Sequence, residues 1–156
     1  MNDLKIRTSS SSSQELIAFR ICEQEFCVDV MSIREIRGWT IATPLPAAPS
    51  FVRGVINLRG TVLPIIDLGA RLGFPIAEPT ARHAIIVAQI GTQVVGLLVE
   101  GVSDIFTVSE DVIQPTPDVA SETAKRFVRG VIPMEGRLIS VISIASVLPE
   151  GMREAA

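Results

Sequence analysis

The chain has 156 residues, of which 47% are hydrophobic and 20% charged, and its formal net charge is −3. That apolar share excludes disorder over most of the length. A net negative chain with one Trp, six Phe and no Tyr offers neither a basic face nor a stacking platform for nucleic acid, and no electrostatic pull toward anionic lipid.

In chain order, residues 1–14, MNDLKIRTSSSSSQ, lack the apolar core of a signal peptide and are expected to form a disordered tail on a cytoplasmic protein. Ile17, Phe19 and Ile21 alternate with less apolar positions and start the first strand; a second run covers 26–30. Cys22 and Cys27 are not spaced as CxxC and the chain holds a single His, so neither a zinc site nor a Cys-His dyad is indicated. Both thiols are expected to be reduced and buried. Residues 40–51 carry Pro44, Pro46 and Pro49 and form a stiff loop unfit for a central strand. Strand runs follow at 62–66, 84–90, 94–99 and 138–142, separated by the turn signals Gly60, Gly91, Gly96 and Gly136. Short helices are expected at 67–72, where Asp67 serves as the cap, at 109–113 and at 143–148. His83 reads as a strand-end residue, and 151–156 as a second tail.

The uncharged stretches 38–52 and 84–99 are interrupted by prolines and by Gln89, Gly91, Thr92 and Gln93, and both fall short of the about 20 apolar residues that span a bilayer. The apolar excess therefore predicts exposed patches that partners cover. Its composition points to strands, because 17 Val and 19 Ile stand against 11 Leu and 4 Met.

An internal repeat organises the chain. Residues 51–68, FVRGVINLRGTVLPIIDL, align without gaps to 127–144, FVRGVIPMEGRLISVISI, and a weaker echo pairs 23–36 with 92–105. Two units, about 15–80 and 81–150, are too few for a solenoid. They predict an all-β fold with a few short helices: two related five-stranded β-barrel subdomains, a groove between them, and strand exchange allowed. What both copies keep, such as Gly60 and its equivalent Gly136, serves the shared fold; Arg53 and Arg129 are read as structural on the same ground. What differs is free for function. The turn Asn57-Leu58-Arg59 becomes Pro133-Met134-Glu135, so Arg59 is either a solvated turn residue or a functional one.

The segments REIRGW (34–39), the GVxNLRGxxxPxxDL pattern within 51–68, and VVGLLVEGVSDIFTV (94–108) resemble the hallmark stretches of the CheW family, the adaptors of bacterial chemotaxis arrays. The resemblance covers about residues 15–150. It implies two SH3-like five-stranded barrels and a scaffold without catalysis, cofactor or metal. One surface, in the groove between the barrels, would bind the cytoplasmic tip of a chemoreceptor (a methyl-accepting chemotaxis protein). Another would bind the regulatory domain of a CheA-type histidine kinase, giving a cytoplasmic protein associated with membrane receptor arrays but not inserted in the membrane. Glu35 and Arg59 match a Glu and an Arg of the receptor-binding region, and their opposite charges are expected to pair and to hold the turn that carries Asn57. Ile33, Ile36, Val95 and Leu97 are expected to line the groove, although strand residues of this kind also suit a barrel core. Ile41, Leu45 and Pro46 are candidates for the kinase-facing surface. The alternative is a CheW-like adaptor of another receptor–kinase pathway, in surface motility or gene regulation. Asp67 and Glu100 have no nucleophile, metal cluster or polar partner at a readable spacing, which argues against an enzyme.

Overall fold

The computed structural model describes residues 13–117 and 121–148. Residues 1–12 and 151–156 of the two expected tails lie outside it, whereas Ser13 and Gln14 already open the first strand. The elements are β1 (Ser13–Ile21), β2 (Gln24–Asp29), β3 (Ile33–Gly38), β4 (Val52–Leu58), β5 (Thr61–Asp67), α1 (Leu68–Arg71), β6 (Ala84–Ile90), β7 (Gln93–Val99), β8 (Gly101–Ser109), α2 (Glu122–Phe127), β9 (Val128–Met134), β10 (Arg137–Ile142) and α3 (Ile144–Val147). Single 3-10 turns at Val30–Ser32 and Glu110–Val112 complete the set. The Val- and Ile-rich composition thus yields a mostly β chain with short helices.

Two five-stranded sheets form, in the orders β8-β1-β2-β10-β9 and β3-β6-β7-β5-β4. The β1–β2 hairpin sits in the sheet built from β8, β9 and β10, and the β6–β7 hairpin sits with β3, β4 and β5. Each half of the chain therefore lends its leading hairpin to the other half's sheet. Each lent hairpin joins its host sheet by one parallel pairing, β2 on β10 and β7 on β5, and one antiparallel pairing, β1 on β8 and β6 on β3, and every other pairing is antiparallel.

This exchange explains the apolar composition. Strands β1, β6 and β7 have two buried faces, and such strands read as near-continuous apolar runs rather than alternations. In β1, Leu16 and Ala18 point into one barrel core with Cys27, Ile132, Ile139 and Val141, while Ile17, Phe19 and Ile21 point into a central layer between the sheets. In β6, Ile85 and Val87 enter the other barrel core with Leu63 and Ile65, while Ile86 and Ala88 join the same central layer. Much of the expected surface excess is in fact this shared third core. Nine large hydrophobics still stand exposed among the described residues, Met31, Ile41 and Val62 foremost.

The repeated FVRG motif has a structural cause. After β3 the chain reaches over to the far edge of its sheet, where Thr43 and Val55 exchange hydrogen bonds of 2.8 and 2.9 Å; Gln114 and Val131 do the same in the other sheet at 2.8 Å each. These bridges close each sheet into a barrel, and a glycine lies beneath each one. A Cβ on Gly54 would stand 2.1 Å from the Thr43 carbonyl oxygen, and one on Gly130 2.8 Å from that of Gln114. No side chain fits at either position.

Two expectations are corrected. Gly96 lies inside β7 rather than in a turn; a Cβ there would meet Ile65 at 2.7 Å and Ile85 at 2.8 Å, so the residue is small to let barrel side chains cross it. Cys22 is exposed, at the tip of the β1–β2 hairpin with φ 49°, and only Cys27 is buried. Asp67 does cap α1, its Oδ1 accepting from the Ala70 N–H at 3.1 Å, and His83 lies immediately before β6.

Candidate partner-binding site

The NLRG turn is a two-residue hairpin loop between Leu58 and Thr61, with Arg59 at φ 51° and Gly60 at φ 87°. Left-handed backbone at both central positions matches the twist of the flanking strands, and glycine adopts it freely at the second. At Arg59 the conformation costs on the order of 1 kcal/mol, and Asn57 helps hold it: its Oδ1 accepts the Gly60 N–H at 2.7 Å. The turn is thereby fixed from within, and the guanidinium of Arg59 leaves it in a set direction.

That direction leads to β3, where Arg59 Nη2 donates to Glu35 Oε2. Residues 24 apart in sequence meet as expected. Arg37 lies 3.9 Å from the other oxygen of Glu35, and Arg34 Nη1 donates to Gln89 Oε1 of β6 at 2.9 Å. The hydrogen bond from Arg59 holds the Glu35 carboxyl below the usual glutamate range; desolvation opposes this, and the charges of Arg59, Arg37 and Arg34 add to it. An exposed, solvent-screened ion pair of this kind adds little to folding, so its chemical value is a fixed, charged edge.

Beside that edge lies a hollow of about 400 Å³ with a mixed polar and apolar lining, Arg37, Ile41, Asn57 and Val62 among it. Ile41 and Asn57, expected on different surfaces, thus share one. Ile36 is 41% exposed and Leu45 46% exposed, and Pro46 is also at the surface, whereas Ile33 is half-buried against the central layer. Val95 and Leu97 are not surface residues. Both are 0% exposed in the central layer, because β7 is covered on each face, and neither can line a groove.

Between the two sheets lies a second hollow, also of about 400 Å³, bounded by Gln14, Asp29 and Ser32 on one side and by Gln89, Ile90 and Gly91 on the other, with Arg129 and Ser143 also on its wall. Ser32 precedes Ile33, so this cleft opens next to β3. The repeat has a matching cleft on the opposite side, where Ile21, Cys22, Asp67 and Gly69 take the places of Ile90, Gly91, Ser143 and Ala145. There the loop after α1 folds back. The Phe74 N–H donates to the Gly69 carbonyl at 2.9 Å, and Phe74, Pro75 and Ala77 leave a space of only about 20 Å³. Leu72 continues helical at ψ −1°, whereas its counterpart Leu148 is extended at ψ 144°. Among the described residues, one cleft is plugged and the other is open.

The sequence reasoning missed this asymmetry. Its only visible trace is the Gly73-Phe74-Pro75 turn signal after α1. Among the described residues, no helix is long and apolar enough to cross a membrane.

Residues 15–151 match a family model described as the CheW-like domain. The chain is 60% identical over 147 residues to the chemotaxis protein CheW of Rhizobium meliloti (strain 1021), covering 94% of this chain and 95% of that protein. It is 33% identical over 136 residues to the chemotaxis protein CheW of Thermotoga maritima, covering 87% of this chain and 88% of that protein. The crystal structure of the scaffolding protein TtCheW from Thermoanaerobacter tengcongensis superposes with a TM-score of 0.77 at 28% identity, over 85% of this chain and 90% of that one.

Proposed function

The chain belongs to the CheW-like domain family, and we propose that it is a non-catalytic cytoplasmic adaptor that couples the cytoplasmic tip of a chemoreceptor to the regulatory domain of a CheA-type histidine kinase. The carrying observation is the pairing of Glu35 and Arg59, the two residues matched by motif to the receptor-binding region, on a turn held by Asn57. They stand on the rim of a fold that leaves one cleft open. A receptor helix laid into that cleft would cover the remaining exposed part of Ile33 with its apolar face. The charged edge would then fix its orientation, since charge pairs at a rim select partners more than they add affinity.

The kinase-facing surface is proposed to include Ile41, Leu45 and Pro46. They lie on the proline-stiffened segment that closes the barrel, where little ordering entropy remains to be lost on binding. Val62 extends this patch.

The test is reconstitution of kinase activity from receptor, kinase and this protein. Omitting the protein should uncouple the kinase from receptor ligand. Arg59→Glu, which sets two carboxylates face to face, should weaken receptor coupling while leaving circular dichroism and binding to the kinase regulatory domain unchanged. Unaltered coupling in that variant would refute the site, and failure of the wild-type protein to bind any kinase regulatory domain of its host would refute the function.

A further inference from the structure

Resting on that reading, we infer that Arg129 is a specificity residue of the open cleft and that it takes a carboxylate of the docked partner helix. The two arginines of the repeated FVRG motif make the case, because identical sequence places them identically and their partners differ. Arg53 is engaged through Nε and Nη2: its guanidinium stands 2.9 Å from Asp67, and its Nη2 also donates to the carbonyl of Ala77 in the plugging loop. In the other copy Asp67 is replaced by Ser143, and Ala77 aligns with a position outside the described residues. Arg129 is left with the neutral amide of Gln14, whose Oε1 accepts from Nη2 at 2.9 Å, and with Glu110 at 3.9 Å.

Exposure follows the same division. The Arg53 side chain is 19% exposed and that of Arg129 39%. Arg129 lines the open cleft. A planar guanidinium that keeps donors available in a cleft suits a carboxylate, which it can grip through two parallel hydrogen bonds. Among the described residues the only acid lining the same cleft is Asp29, whose Oδ2 already accepts from the Gln14 amide at 3.3 Å and whose Oδ1 accepts the Met31 N–H at 2.9 Å. Its described lining therefore holds one committed acid and one cation with room for another partner. The occupant that fits is a helix with apolar residues toward Ile33 and an Asp or Glu toward Arg129.

The experiment measures binding of the full-length protein to a soluble coiled-coil fragment of the host receptor tip, by titration calorimetry at two salt concentrations. Arg129→Glu should weaken binding roughly tenfold or more, and Arg129→Gln by less, with a shallower salt dependence than wild type. Thermal melting of both variants controls for folding. One Asp or Glu of the fragment, changed to Arg, should restore binding to the Arg129→Glu protein. The inference is overturned on its own if the wild-type protein binds the fragment, Ile33→Asp abolishes binding, and Arg129→Glu binds like wild type. It is equally overturned if Arg129→Glu loses affinity and no charge-reversed fragment restores it. No binding by the wild-type protein would overturn both this inference and the function on which it rests.

Discussion

Arg71 ties the two halves together, and its replacement by Met tests how much they depend on each other. It is the last residue of α1, and the repeat aligns it with Val147, the last residue of α3. Its Nε donates to the carbonyl of Val147 at 2.9 Å and its Nη2 to that of Leu148 at 3.1 Å. Its guanidinium carbon lies 4.4 Å from the ring centre of Phe51 and 5.0 Å from that of Phe127, the two aligned phenylalanines of the repeat. Met fills similar volume without donors, so the cost includes two charge-assisted hydrogen bonds to half-buried carbonyls and two cation–π contacts. Because these contacts share one guanidinium they do not add, and the net loss is about 2–4 kcal/mol, below their separate values summed. For a domain of this length the melting temperature should fall by about 5–15 °C. The lone Trp39 packs against the core of the β3-β6-β7-β5-β4 barrel, so its fluorescence in urea reports on that barrel, while far-UV circular dichroism reports on both. In the wild type the two transitions should coincide. In the variant both should shift, and any separation between them would mean the halves no longer unfold as one. A loss below about 1 kcal/mol with coincident transitions would refute the role of Arg71 as a tie.

Two further outcomes follow from ionisation. The Glu35 carboxyl is held below its ordinary value of 4.5, so the Glu35–Arg59 pair contributes fully above that pH, and the contribution fades as pH falls through the lower folded-state value. An NMR titration should find the Glu35 midpoint below 4.5 and moved upward in Arg59→Gln; a midpoint unaffected by the substitution would refute the pairing. Burial pushes the Cys27 thiol up to about 12, so maleimide should label it only when the chain unfolds. Cys22, exposed but raised by desolvation and by the nearby carboxylates of Glu100, Glu23 and Asp67, should label in the native state and faster at alkaline pH. Mass spectrometry would reject both statements if Cys27 reacted first.

Sequence reasoning reached the parts of the structure governed by local chemistry. Branched apolar runs became strands, Asp67 became a helix cap, and the NLRG turn took the left-handed backbone that Gly60 permits. The repeat gave two five-stranded units because aligned residues face the same constraint, as Gly54 and Gly130 do beneath their closing bridges. Burial was less legible. Val95 and Leu97 look like any strand residues, and only the exchange of hairpins, a long-range fact, covers both faces of β7 and removes them from the groove. Gly96 misled for a related reason: a glycine that admits a crossing side chain is indistinguishable in sequence from one that turns the chain.

The repeat also bears on how the proposed adaptor would tell two unlike partners apart. A strictly symmetric pair of units would present two equal clefts and two equal faces, and a helix would have no basis for choosing between them. Three local differences break the equality without touching the shared core. The loop carrying Phe74 plugs one cleft, Ser143 in place of Asp67 leaves the Arg129 side chain more exposed in the other, and Glu135 replaces Arg59 at the hairpin tip. The last change has a sharp electrostatic consequence. Glu35 and Arg59 attract on one barrel, while their counterparts Asp104 and Glu135, both exposed, carry like charge on the other. Around these acids the second barrel keeps its own exposed apolar residues, Ile105 and Leu138, at the positions aligned with Ile36 and Val62. The two faces thus share an apolar pattern and differ in sign at the same place, and charge of one sign beside a common apolar surface is a sufficient means of rejecting the wrong partner.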